Sequence, residues 1–137
     1  MIILDTNVIS EFMRPTPDQQ VVRWLDAIPP HDVWTTSIVF AEIAAGIALL
    51  PRGARQRRLA DAFDGMREMF AEQVLSFDSA AAGEYGRVVA RRSRAGRPIS
   101  VVNAQIAAVS IVAGGAIATR NTSDFEMTEA ELINPWQ

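Results

Sequence analysis

Short apolar runs alternate with longer segments of helical periodicity along the whole chain. The apolar runs predict strands at Ile2–Leu4, Val33–Thr36, Val74–Phe77 and Ala116–Thr119, with a short fifth strand at Glu131–Asn134. The first run is apolar at consecutive positions, which is typical of a strand buried on both faces of a parallel sheet.

The segments between these runs predict helices bounded by capping residues and by proline or glycine. They cover residues 8–13, a segment that Asp18 caps, 38–50 with Ser37 as the cap, 54–70, 79–94 and 100–113. Because strands and helices alternate, the pattern predicts an α/β sandwich around a mostly parallel sheet of four or five strands. No repeat, low-complexity segment or linker interrupts it, so residues 1–137 are predicted to form one domain.

The amino-acid composition limits the reactive groups that an active site of this protein could use. All 13 basic residues are arginine, His31 is the single histidine, and cysteine is absent. These absences exclude a thiol nucleophile, a zinc ribbon, a Walker A loop and a Schiff base, which leaves carboxylates, hydroxyls or a hard cation as reactive groups. His31 lies between Pro30 and Asp32 and is predicted to be a loop residue. No segment is typical of a signal peptide or membrane span, so we expect a cytoplasmic protein.

Three acidic residues lie where functional groups gather in open α/β sheets, near the carboxyl ends of strands. Asp5 ends the first predicted strand, Asp124 follows the fourth, and Glu42 is the single charged residue in the apolar run 41–50. Two carboxylates about 4 Å apart repel by roughly 4 kcal/mol at an effective dielectric of 20. Without histidine or cysteine nearby, Mg²⁺ or Mn²⁺ is the natural cation for such a cluster.

Other polar residues near the strand ends allow two interpretations. Thr6 and Asn7 can hold a metal or phosphate, or one of them can cap the following helix. Asn103, in the first turns of an apolar helix, either bonds the backbone at the helix start or faces the same pocket.

The arginines are unevenly distributed, although the formal net charge is −3. One group comprises Arg52, Arg55, Arg57 and Arg58, and a second comprises Arg87, Arg91, Arg92, Arg94 and Arg97. Both groups are compatible with phosphate binding and with solvated helix faces.

Four segments carry a family resemblance, in order and over nearly the whole chain. Met1–Glu11 resembles the opening of PIN-domain proteins, in particular the VapC-type toxins of bacterial toxin–antitoxin pairs. Ser37–Gly46, Pro98–Ala108 and Ala118–Phe125 resemble their second, third and fourth motifs, and Asn134–Trp136 resembles their chain end.

The resemblance implies a PIN fold and a Mg²⁺- or Mn²⁺-dependent ribonuclease, with a metal-activated water attacking an RNA phosphodiester in line. It further implies a homodimer that a cognate VapB-type antitoxin inhibits. Asp5, Glu42 and Asp124 match the acidic catalytic pocket, with Asp5 and Asp124 as metal ligands. Five further residues are expected beside the pocket, where substrate binds: Thr6, Asn7, Thr119, Arg120 and Asn121.

The third motif departs from the family pattern, because Asn103 stands where an aspartate is usual. The resemblance places Asn103 among the catalytic and metal-binding residues. An amide oxygen can contact a cation, yet it brings no charge and cannot act as a base, so we expect reduced metal affinity and turnover. Natural drift to a silenced toxin and a designed exchange for safe expression of a toxic nuclease are both compatible with it.

Three other functions compete with a ribonuclease. A catalytically silent PIN-fold protein would act only by binding an antitoxin or an operator complex, and Asn103 favours it. A haloacid-dehalogenase-type phosphatase would use Asp5 as a nucleophile but expects an acid at position 7 and a later lysine. A receiver domain also expects a lysine, which the chain lacks.

Overall fold

Five short parallel strands form one sheet in the computed structural model, which describes all 137 residues. In chain order the strands are β1 (Ile2–Leu4), β2 (Val33–Thr36), β3 (Val74–Leu75), β4 (Ala116–Ala118) and β5 (Leu132–Ile133). Their order across the sheet is β3-β2-β1-β4-β5, and every neighbouring pair is parallel. The predicted α/β fold around a parallel sheet is confirmed.

Six α-helices and two short 3-10 helices connect these strands. The helices are α1 (Thr6–Phe12), α2 (Gln19–Asp26), α3 (Ser37–Ala48), α4 (Ala54–Met69), α5 (Ser79–Arg94) and α6 (Val101–Ala113), and the 3-10 helices are Pro30–Asp32 and Thr122–Phe125. Helix α5 packs along α6, and α3 packs against α1, α4 and α6. The predicted helices are confirmed with boundaries that differ by one or two residues.

Two local predictions were wrong. Thr36, and not Ser37, caps α3, since its Oγ1 accepts the Val39 N–H at 3.1 Å while Ser37 is already helical. The third strand ends at Leu75 and does not extend to Phe77. Phe77 leaves the sheet and packs edge-on against Tyr85 of α5, with ring centroids 6.1 Å apart.

Helix α6 supplies much of the core. Ala104 and the segment 106–110 are buried, and the hydroxyl in this segment, that of Ser110, donates to the Ile106 carbonyl at 2.8 Å. The apolar stretch at 101–118 is therefore a core helix followed by the central strand β4. None of the helices combines the length and the apolar character that crossing a bilayer requires.

A Gly-Gly pair ends α6 and sets β4 beside β1. Gly114 has a φ of 73°, a left-handed conformation that glycine adopts without steric cost. A Cβ on Gly115 would lie 2.7 Å from Cδ1 of the buried Ile3, so any larger residue here would force the Ile3 side chain to shift. The prediction that glycine or proline bounds the helices thus has a conformational basis at Gly114.

The chain fills the sheet in two directions from β1. Strands β2 and β3 lie on one side, and β4 and β5 lie on the other. In open α/β sheets, functional groups gather where the strand order reverses, at the carboxyl ends of the strands. In this protein the reversal lies between β1 and β4, which Asp5 and Thr119 directly follow.

Candidate active site

Asp5 and Thr119 face each other across the two central strands. Strands β1 and β4 are in register up to Leu4 opposite Ala118, and the Asp5 N–H donates to the Ala118 carbonyl at 3.0 Å. The pairing therefore continues by one residue, so that Thr119 Oγ1 donates to Asp5 Oδ2 at 2.8 Å. Asp5 is 5% exposed and Thr119 is fully buried. Thr119 thus holds the Asp5 carboxylate in one orientation at the carboxyl ends of β1 and β4. The cluster formed by Asp5, Thr119 and the polar residues around them is the acidic crevice.

Asn7 braces this pair. Its Nδ2 donates to Thr119 Oγ1 at 3.2 Å and lies 3.5 Å from Asp5 Oδ2. Its Oδ1 accepts the Arg120 N–H at 3.0 Å, and the Asn121 N–H donates to Thr119 Oγ1 at 3.1 Å. One amide side chain therefore ties the start of α1 to the loop after β4.

A second contact brings Glu42 of α3 to the same edge. Thr6 Oγ1 donates to Glu42 Oε1 at 2.6 Å, which explains why an acid interrupts the apolar run 41–50. The expectation that Thr6 or Asn7 caps α1 was wrong. The N-cap of α1 is Asp5, and no side chain caps this helix; the Thr6 hydroxyl and the Asn7 amide donate to Glu42 and Thr119 instead.

Burial raises the pKa of the Asp5 carboxyl above its ordinary value, because removal from water disfavours its charged form. The backbone N–H of Thr6 and the Thr119 hydroxyl donate hydrogen bonds that oppose this rise. The negative charges of Glu42 and Asp124 add to it. Asp5, Glu42 and Asp124, from three separate elements, therefore share one electrostatic environment.

Asp124 lies in the 3-10 helix Thr122–Phe125 and is exposed. The helix is anchored by buried Phe125, whose carbonyl accepts the Thr128 hydroxyl at 2.6 Å. No side-chain hydrogen bond joins the Asp124 carboxylate to Asp5 or Glu42. Asp124 thus acts on Asp5 through space, from a loop that other residues hold in place.

Arg92 of α5 is the main support of that loop, and sequence analysis did not single it out. It is 5% exposed, and its guanidinium donates to the carbonyls of Arg97, Asp124 and Glu126 at 2.6, 2.8 and 3.0 Å. Arg92 stands within a run of arginines, and such a run is typical of a solvated helix face. No feature of the sequence distinguishes this buried arginine from its exposed neighbours.

Asn103 lies in the first turn of α6 and is partly buried. Its backbone N–H donates to the Ser100 hydroxyl at 3.1 Å, so Ser100 caps the helix. Its side-chain amide makes no hydrogen bond to Asp5, Glu42 or Asp124, and none to the backbone.

The remaining predicted residues lie at the rim. The guanidinium of Arg120 stacks on the Trp136 ring, 4.3 Å from its centroid, and the Arg120 carbonyl accepts Asn134 Nδ2 at 3.4 Å. Asn121 is exposed. His31 is 81% exposed and lies beside Asp32, so it takes no part in the crevice.

The donor set fits a hard cation. No group of three or more histidine, aspartate or glutamate side chains is arranged to hold a metal ion by itself. Mg²⁺, however, is commonly bound by one or two carboxylates and keeps several waters. Asp5 offers a carboxylate at a buried position, and the charges of Glu42 and Asp124 add negative potential around it.

Comparison with known proteins identifies the family. The family model described as PIN domain matches residues 2–130. The VapC ribonuclease Y4jK of Sinorhizobium fredii is 36% identical, with 100% of this chain and 99% of the relative covered. Toxin FitB of Neisseria gonorrhoeae is also 36% identical and is matched over 99% of both chains. A solved structure of FitAB bound to the IR36 DNA fragment superposes with a TM-score of 0.91 at 36% identity, covering 100% of this chain and 96% of the other. The chain therefore belongs to the PIN-domain family, beside the VapC and FitB toxins.

Proposed function

We propose that this chain is the toxin of a bacterial toxin–antitoxin pair and a Mg²⁺- or Mn²⁺-dependent ribonuclease that hydrolyses RNA phosphodiester bonds. The observation that supports this proposal most directly concerns Asp5. It is a buried carboxylate at the reversal of strand order, and its pKa is raised by burial and by two neighbouring acids. A buried acid with nearby like charges is unfavourable unless a cation or a proton compensates it. The VapC ribonuclease among the relatives supports the choice of RNA as substrate.

Asp5, Asn103 and Asp124 are the residues that would hold the cation. When bound, the ion supplies a polarised phosphate and a water of lowered pKa. Thr119 and Asn7 keep the Asp5 carboxylate in one orientation, and Thr6 holds Glu42 toward the substrate side. Thr6, Asn7, Thr119, Arg120 and Asn121 form the rim along which RNA would bind.

Asn103 reduces this activity in our proposal. Its amide leaves the pocket one negative charge short and without one acceptor for a proton. General bases contribute about 10²–10⁴-fold to catalysed rates, so a loss of this size is expected where such a carboxylate is missing.

The test compares Mg²⁺-dependent cleavage of an RNA mixture by the protein and by Asn103→Asp, with Mn²⁺ binding measured by calorimetry in parallel. Asn103→Asp should cleave at least about 10²-fold faster and bind Mn²⁺ more tightly. Val112→Glu is the control, since it adds the same charge at the exposed far end of α6 and should change neither. If Asn103→Asp neither cleaves RNA nor binds Mn²⁺, the ribonuclease proposal is wrong.

The uncharged amide at position 103 also favours a second candidate, a PIN-fold protein that acts only by binding. Such a protein would form a tight antitoxin complex, and Asn103→Asp would leave RNA uncut. The FitAB complex on DNA supports a VapB- or FitA-type antitoxin as the partner in either case. Co-purification with the product of the adjacent reading frame tests this partner. Light scattering tests the proposed homodimer, whose mass would be twice 15.0 kDa.

A further inference from the structure

The four arginines around the start of α4 have no internal partner. Arg52, Arg55, Arg57 and Arg58 are all exposed. None lies within 4.0 Å of a carboxylate oxygen, although acids at 61 and 64 follow on the same helix. The first turn of α4 contains no acid either, so these charges add to the positive end of the helix dipole. This concentration of positive charge favours an anionic ligand.

The second arginine group is compensated within the protein. Arg87 pairs with Glu84 at 2.8 Å, and Arg91 and Arg97 pair with glutamates of the 126–129 loop at 2.9 Å. Arg92 is buried against backbone carbonyls. Arg94 alone is exposed without a carboxylate partner. The two groups, similar in sequence, therefore differ in the charge that they offer to a ligand.

One member of the unpaired group, Arg55, lies beside the candidate active site. It lines a groove of about 380 Å³ that also contains Thr6 and Glu42 and whose remaining lining is largely apolar. With 3.6 residues per turn, Arg58 lies about 60° from Arg55 around α4, whereas Arg57 lies about 200° away. Arg55 and Leu59 are the residues of α4 that line the groove, and the helical geometry places Arg58 beside them and Arg57 on the opposite side.

We propose that Arg55 and Arg58 bind backbone phosphates of single-stranded RNA that runs along this groove toward Asp5. The inference rests on the proposed ribonuclease function. A guanidinium matches a phosphate in both charge and fork geometry, and residues three apart on a helix lie about 5–6 Å from each other. The two arginines thus contact separate phosphates. They offset the repulsion that an RNA strand meets from Glu42, which lines the same groove.

The experiment measures fluorescence anisotropy of a labelled single-stranded RNA with metal chelated, so that binding is separated from cleavage. Arg55→Gln/Arg58→Gln is compared with the matched control Arg57→Gln/Arg94→Gln. Both double variants change the formal net charge from −3 to −5, by removal of two positive charges. Circular dichroism verifies that both are folded.

Each phosphate contact contributes about 0.7 to the slope of log affinity against log salt for single strands. Loss of two contacts should therefore reduce the slope by about 1.4. With equal affinities of the variant and the unmodified protein at 1 M salt, the variant then binds about 25-fold more weakly at 0.1 M salt. The control should remain within about twofold of the unmodified protein.

Four outcomes would overturn the inference. Equal weakening of RNA binding in both double variants would show that only overall charge matters. Greater weakening of RNA binding in the control would place the RNA elsewhere on the protein. The ribonuclease proposal survives both results. If Arg55→Gln/Arg58→Gln binds RNA as tightly as the unmodified protein but no longer binds a labelled oligoglutamate peptide, the surface is assigned to an acidic protein. If the unmodified protein binds no RNA and Asn103→Asp cleaves none, the inference and the proposed function fail together.

Discussion

Replacing Arg92 by methionine should unfold the protein more easily and loosen the loop that carries Asp124. The guanidinium is 5% exposed and donates three hydrogen bonds of 2.6–3.0 Å to backbone carbonyls, two of which belong to Asp124 and Glu126. Methionine fills similar volume but donates nothing, so all three carbonyls lose a partner.

The expected loss follows from these contacts. Three hydrogen bonds from a charged donor, at about 1.5 kcal/mol each, stabilise by about 4.5 kcal/mol. This figure is a net contribution that already includes the exchange of hydrogen bonds with water, so the expected loss is about 4.5 kcal/mol. For 137 residues the unfolding entropy is about 0.29 kcal/mol/K, so this loss corresponds to a fall of about 15 °C in Tm.

Urea denaturation and amide hydrogen exchange measure the two effects. Arg91→Met is the control, because it removes the same charge at the adjacent position, where Arg91 makes only a surface pair with Glu129. Exposed pairs of this kind contribute about 0–1 kcal/mol. Exchange should accelerate at residues 122–126 in Arg92→Met and stay unchanged in Arg91→Met. Equal stability of the two variants, with equal exchange in this loop, would refute the supporting role of Arg92.

Other predictions concern the acidic crevice and two glycines. Asp5→Asn should stabilise the metal-free protein at neutral pH, because the raised pKa of Asp5 means that its charged form is disfavoured in the folded state. This advantage should shrink as pH falls through the folded-state pKa toward 3.8, below which Asp5 is protonated in both the folded and the unfolded state. Denaturation at several pH values in chelator measures the stability difference between the two proteins. A difference that does not change with pH would contradict the prediction. Gly65→Ala, on an exposed face of α4 with open space around the new Cβ, should raise stability by about 0.5–1 kcal/mol. Gly115→Ala should lower stability by about 1–3 kcal/mol, since its Cβ would lie 2.7 Å from Ile3, and calorimetry of the two alanine variants distinguishes the cases.

The sequence predicted those features that depend on local patterns. The apolar runs at 2–4 and 116–118 could be recognised as buried strands, and the position of Asp5 at a strand end followed directly. Strand order and register are long-range properties, so the pairing of Asp5 with Thr119 was not predictable from either segment alone. Side-chain partners were harder still. Thr6 resembles a helix cap in sequence, yet its hydroxyl donates to Glu42, 36 positions away.

Position 103 links the stability of the crevice to its proposed chemistry. Asp5 is already destabilised in its charged form by burial and by two acids, so a further carboxylate on α6 near the pocket would increase the repulsion when no cation is present. Asn103→Asp should therefore lower Tm in chelator and regain it with Mn²⁺, since a ligand that binds only the folded state stabilises it in proportion to RT ln(1 + [L]/Kd). Val112→Glu, with the same added charge at the exposed far end of the same helix, should show no Mn²⁺-dependent recovery. A Mn²⁺-dependent rise confined to Asn103→Asp would assign position 103 to the cation independently of any RNA substrate. Identical behaviour of the two variants would mean that the amide at 103 lies outside the reach of the cation, and that the missing charge does not limit activity.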